Sequence, residues 1–190
     1  MSRFTPFPLL ALLASCATQP YEWQFATTEC RDLGLSGALF VPEAAELGLA
    51  DIRIGRLPDT GRGPGVAIQF IRNYDFSGQV REPEIIVAVG DWGNRTCTMR
   101  MAESDCEGAR TQYLELAALS LPVGHRFDDP VGINLLHGTQ YFLASVDGES
   151  NELYWSYYGE YHPVLAVLDQ TLEALSQCTQ GAQKMYSNGI

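Results

Sequence analysis

The residues of this chain that could do chemistry are few, and each group lacks a part that its chemistry needs. A nucleophilic serine works from a strained elbow, commonly Gly-x-Ser-x-Gly, that lifts its oxygen clear of the backbone. Gly34-Leu35-Ser36-Gly37-Ala38 lacks the last glycine and follows no strong strand, so Ser36 reads as a turn residue. A phosphate loop presents backbone N–H groups at a helix start, together with a lysine. Gly61-Arg62-Gly63-Pro64-Gly65 leads into a strand instead, contains no lysine and includes a proline that cannot donate. His125, His137 and His162 are the only imidazoles, and a metal would need two of them gathered with a carboxylate such as Asp128 or Asp129. No short histidine spacing arranges this. Asp128 and Asp129 could serve as an acid/base pair, but adjacent residues usually point apart, and Asp-Asp-Pro reads as ordinary turn chemistry. Asp147, Glu149 and Asn151 open like a calcium loop but lack the later bidentate glutamate. The expectation is a chain with no cofactor, no metal and no catalytic residue.

Aromatic side chains stand out more. Trp92 lies in Gly90-Asp91-Trp92-Gly93-Asn94, where two glycines and two turn-tolerant residues predict the tip of a hairpin joining residues 85–89 to 96–101. An indole exposed there would serve as a contact for a partner. The second feature is Leu153-Tyr154-Trp155-Ser156-Tyr157-Tyr158-Gly159-Glu160-Tyr161-His162. On a strand, side chains alternate between faces, so Leu153, Trp155 and Tyr157 would face the core while Tyr154 and Tyr158 face away. Trp92, Tyr154, Tyr158 and Tyr161 are the candidate partner-binding residues.

The elements that would position these side chains can be read from period and punctuation. Residues 66–72 and 85–89 are the firmest strands, rich in β-branched residues and bounded by turn formers. The second of these is apolar without alternation, as a strand covered on both faces would be. Residues 96–101 alternate Cys97, Met99 and Met101 against Thr98 and Arg100, predicting one wet face. Strands are also expected at 35–41 and around Ile52 and Ile54, and a short helix at 42–46. Residues 139–146 and 152–158 flank Asp147-Gly148, a hairpin signal. Helices are predicted over 109–119 and over 163–178, the latter opened by Pro163 and facing the core with Val164, Leu165, Leu168, Leu172 and Leu175. The sum is an α+β fold, an antiparallel sheet with at least two packed helices.

The N-terminus carries one basic residue, Arg3, and then an almost wholly apolar run from Phe4 to Ala14. That order is an export signal, and the run is well short of the roughly 20 residues that span a bilayer. Leu13-Ala14-Ser15-Cys16 follows and resembles the lipobox of bacterial lipoproteins: a branched apolar residue, two small residues, then cysteine. The resemblance implies cleavage before Cys16, lipidation of its thiol with palmitate-type acyl chains, and anchoring to a membrane of the cell envelope. Because Ala17 is not aspartate, it also implies the outer membrane, facing the periplasm, in a Gram-negative host. At about 0.8 kcal/mol per buried methylene, more than one acyl chain makes such anchoring stable.

With Cys16 lipidated, Cys30, Cys97, Cys106 and Cys178 remain. An even number in an oxidising compartment predicts two disulfides. The short polar segment between Cys97 and Cys106 suggests that these two pair, leaving Cys30 to join Cys178. The organisation expected is a cleaved signal peptide over residues 1–15, a lipidated cysteine and tether over 16–29, one disulfide-stabilised α+β domain over 30–178, and a frayed polar tail over 179–190.

The full chain has a formal net charge of -11, and loss of Arg3 with the signal takes it to -12. Such a surface repels phosphate backbones, so nucleic acid is excluded as a partner. The function expected is a membrane-anchored, non-catalytic module that binds an envelope protein, as an assembly accessory or an inhibitor. Binding of a small ligand, glycan or lipid is the alternative, and an envelope hydrolase the second alternative.

Overall fold

The fold is taken from a computed structural model that describes residues 28–32, 47, 50–59, 63–72, 82–91, 95–121, 138–147, 149, 151–159 and 162–189. Seven strands form one antiparallel sheet: β1 (Thr28–Asp32), β2 (Ile52–Pro58), β3 (Gly65–Ile71), β4 (Glu84–Gly90), β5 (Arg95–Ala102), β6 (Thr139–Val146) and β7 (Glu152–Tyr158). Their spatial order is β1-β5-β4-β3-β2-β6-β7, so the sheet is built mainly from hairpins, with β2 receiving β6 on its far side. Three helices complete the described chain: α1 (Ala109–Ala117), α2 (Pro163–Ala174) and α3 (Ser176–Ser187). The α+β class expected from the sequence is the class observed. No described helix is long and apolar enough to cross a membrane.

Strand pleating sorts the side chains onto two faces. Ile52 and Ile54, Ile68 and Phe70, and Ile85, Val87 and Val89 share one face, where they pack with Leu165, Leu168, Leu172 and Leu175 from the helical segment. Leu57, Ala67, Ala88 and Phe142 form a second buried cluster on the opposite face. β4 is buried on both faces, as its unbroken apolar run predicts. Gly55 is needed on the second face because it stands opposite Phe142, and a methyl group there would collide with the Phe142 ring.

Each helix starts for a local reason. Gly108, at φ 81°, makes the left-handed turn that opens α1. That helix buries Ala109, Gln112 and Leu116, while Leu114 is exposed. Pro163 opens α2, and His162 caps it by accepting the Val164 N–H at Nδ1 over 3.2 Å. Asp169 holds α2 to the sheet, pairing with Arg56 at 2.8 Å and accepting the Tyr141 hydroxyl at 3.0 Å. Burial, aided by the Asp169 charge, pushes the Tyr141 phenol up to about 12.

Three expectations need correction. The helix predicted over 163–178 breaks at Leu175 into α2, which lies on β2 and β3, and α3, which lies on β4, β5 and β1. Residues 179–187 are not a frayed tail but the body of α3, which buries Cys178, Thr179, Ala182 and Tyr186. The cysteines pair as Cys30 with Cys97 and Cys106 with Cys178, not as Cys97 with Cys106 and Cys30 with Cys178. The reason is topological: β1, two residues of which precede the expected domain start, lies against β5 with Cys30 directly opposite Cys97. Cys106 then follows the 3-10 turn Glu103–Asp105 and meets α3.

Candidate partner-binding edge

β7 is the last strand of the sheet, and its hairpin with β6 fixes which way every group on it points. Asp147 builds the turn. Its carboxylate accepts the Glu149 N–H at 2.8 Å, the Asn151 N–H at 2.9 Å and the Asn151 side-chain amide at 2.8 Å. These bonds, led by that of the Asn151 side chain, hold the carboxyl below the usual range. The turn that Asp147-Gly148 signals therefore spans Asp147 to Asn151.

The ladder then sets the backbone. The Asp147 N–H donates to Asn151 at 3.0 Å and the Gly159 N–H to Thr139 at 3.1 Å, in a register that places Val146 opposite Glu152 and Gln140 opposite Tyr158. Hydrogen-bonded pairs alternate along an antiparallel ladder. Leu153, Trp155 and Tyr157 consequently turn their N–H and C=O groups toward β6. Glu152, Tyr154, Ser156 and Tyr158 turn theirs away from the sheet.

The side chains follow the same alternation. Trp155 and Tyr157 are half-buried on the helical face, their ring centroids 4.9 and 5.1 Å from the His162 ring. Leu153, expected to face the core, shares that side but is 40% exposed because it sits at the strand's outer end. Tyr154 and Tyr158 project from the other face and are 44% and 40% exposed. The Tyr158 hydroxyl donates to Asp59 at 2.7 Å, and Asp59 also accepts the Gly138 N–H at 2.7 Å. Asp59 thus fixes one tyrosine by tying together the ends of β2, β6 and β7.

Of the sequence-predicted residues, Tyr154 and Tyr158 are brought to one exposed surface. Cys16, Trp92 and Tyr161 lie outside the described residues, as do Ser36, His125, His137, Asp128 and Asp129. The hairpin expected to carry Trp92 is present, since β4 and β5 pair antiparallel and Asp91 accepts the Arg95 N–H at 3.2 Å. Among the described residues, no group of three or more His, Cys, Asp and Glu side chains is placed to hold a metal ion. Sequence reasoning missed the outward backbone of Tyr154 and Ser156, although the Asp147 turn and the two-residue period contain it. It also missed Asp59, which is distant in sequence from the Gly138 and Tyr158 groups that it binds.

A depression of about 360 Å³ lies by the Cys106 turn, where Glu82, Glu103, Glu107 and Arg110 give it a charged lining. Comparison of the chain with models of protein families, with curated proteins and with solved structures yields no significant match.

Proposed function

We propose that this chain is a membrane-anchored envelope lipoprotein, lipidated on Cys16, whose folded part is a non-catalytic module that binds a protein of the envelope. The observation that carries the binding role is the pair of exposed tyrosines, Tyr154 and Tyr158, on the outer strand of the sheet. Tyrosine offers a large, rigid contact area with a polar tip, and anchors of this type dominate many interfaces. The two rings stand four residues apart on one face, about 13 Å along the strand at roughly 3.3 Å per residue, which suits an extended contact. The anchor supports the same reading, because a module held at a membrane meets other envelope proteins at high local concentration.

The test uses the full chain carrying a C-terminal affinity tag. Tyr154→Ala is expected to leave thermal stability within about 1 kcal/mol, because the ring is largely exposed, and to weaken capture of the envelope partner by more than about 2 kcal/mol. Undiminished capture would remove the binding role from this surface. For the anchor, Cys16→Ser is expected to abolish acyl labelling and to shift the product out of the membrane fraction; persistent labelling would rule the anchor out.

A further inference from the structure

The two edges of the sheet are defended differently. Edge strands expose unpaired backbone groups, and proteins protect them with charges, prolines or coverings. β1 carries Glu29, Arg31 and Asp32 within five residues and is bolted to β5 by the Cys30–Cys97 disulfide. β7 carries one charge, Glu152, in seven residues, with no lysine and no proline. Five of its seven residues are exposed, and among the described residues no strand pairs with its outer edge. Tyr154 and Ser156, at the middle of the strand, turn both backbone groups outward.

Charge identifies the occupant. Residues 139–158, the whole β6–β7 hairpin, contain Asp147, Glu149 and Glu152 and no lysine or arginine. All three carboxylates lie at the turn end. A second copy of the chain is disfavoured because each copy carries a net charge of -11, or -12 once the signal peptide is lost. Every pairing in the sheet is antiparallel, and an added strand in that sense places its C-terminal end beside Glu152.

We propose that β7 accepts an extended segment of the partner protein as an eighth, antiparallel strand, and that this segment is basic at its C-terminal end. The inference rests on the protein-binding reading above and specifies how that binding works: backbone bonds to Tyr154 and Ser156 supply the pairing, the two tyrosines clasp the segment's side chains, and the turn carboxylates set its direction.

The probe is an end-capped peptide of alternating Thr and Val followed by three Lys, titrated into the full chain in detergent. Binding is expected to slow hydrogen exchange of the Tyr154 and Ser156 amides at least tenfold while leaving those of Trp155 and Tyr157 unchanged. Ser156→Pro removes an outward N–H without touching the β6 ladder, and is expected to keep the fold and to weaken the peptide at least tenfold. N-methylation of alternate peptide amides tests the same bonds independently of any variant and is expected to abolish binding. Full binding of the N-methylated peptide would overturn strand addition, while loss of envelope-partner capture in Tyr154→Ala would leave the protein-binding reading standing. Equal binding of a peptide ending in three Glu, or of one with its Lys at the N-terminal end, would overturn the assigned chemistry or direction. A dimer that Ser156→Pro dissociates would make a second copy the occupant and overturn the basic partner.

Discussion

Arg72 is the most demanding side chain in the described molecule. It is 2% exposed, its guanidinium pairs with Glu103, and the same group lies 3.2 Å from the centre of the Tyr113 ring. Among the described residues, two of its nitrogens, Nε and Nη2, have no hydrogen-bond partner, so Glu103 carries most of the compensation. Glu103→Gln is therefore expected to destabilise the fold by about 3 to 5 kcal/mol, the cost of leaving a buried charge unpaired, as read by urea denaturation; a loss under about 1 kcal/mol would show that the ring contact suffices. Asp147 makes a prediction about pH. Its carboxyl is held low in the folded hairpin, so the unfolded chain takes up its proton first as pH falls. The hairpin's share of stability is present above the ordinary aspartate value and is lost as pH drops through the depressed folded value. Carboxyl titration by NMR, with β6–β7 amide protection followed on acidification, checks this; Asp147→Asn should flatten the acid response. Tyr154 and Tyr158 were legible in the sequence because period-two alternation and an Asp-Gly turn are local signals. Asp59 and the Arg72–Glu103 pair were not, because nothing local marks partners 99 or 31 residues apart.

α3 shows why one element escaped the sequence. Its exposed residues are glutamines, two serines and a lysine, and its buried stripe runs Cys178, Ala182, Tyr186, with Thr179 beside it. The spacing is helical, but small and polar residues fill the stripe, so a reading that looks for leucines passes over it. Small residues are what the site requires: α3 sits so close to β5 that a methyl group on Gly181 would lie 2.6 Å from the Met99 sulfur. The far end is clasped as well, since the Tyr186 hydroxyl donates to Asp91 at 3.0 Å and the Arg95 guanidinium reaches the Met185 carbonyl at 3.4 Å. Ala182 is fully buried, and Ala182→Leu is expected to cost about 1 to 3 kcal/mol by overpacking, read as a lowered thermal midpoint. An unchanged midpoint would mean that α3 can lift from the sheet. β1 was missed for a related reason: Thr-Glu-Cys-Arg-Asp has little apolar content, and its pairing comes from β5 and a disulfide. β3 to β7, with stronger patterns, were placed to within a residue, while β2, expected around Ile52 and Ile54, runs on to Pro58.

At the scale of the whole molecule, the two bridges join cysteines 67 and 72 residues apart along the chain, and loops of that size reduce the freedom of the unfolded state by about 4 kcal/mol each. Spacing in sequence could not reveal this pairing, because it depends on β1 crossing to β5 and on α3 crossing to the Cys106 turn. The α+β class was legible because it rests on alternation and helical period, which do not depend on how the strands are ordered. The order of the bridges carries one more consequence. Cys30 joins the next of the four cysteines, Cys97, and Cys106 joins the next, Cys178, so the two covalent rings follow one another and neither encloses the other. For a chain threaded through a membrane N-terminus first, as the lipoprotein proposal requires, each cysteine would then meet its native mate in order of arrival. Oxidative maturation should need a thiol oxidase but no disulfide isomerase: the protein is expected to reach full yield with native bridges in cells lacking the isomerase, and mispaired product there would refute a first-come order of closure.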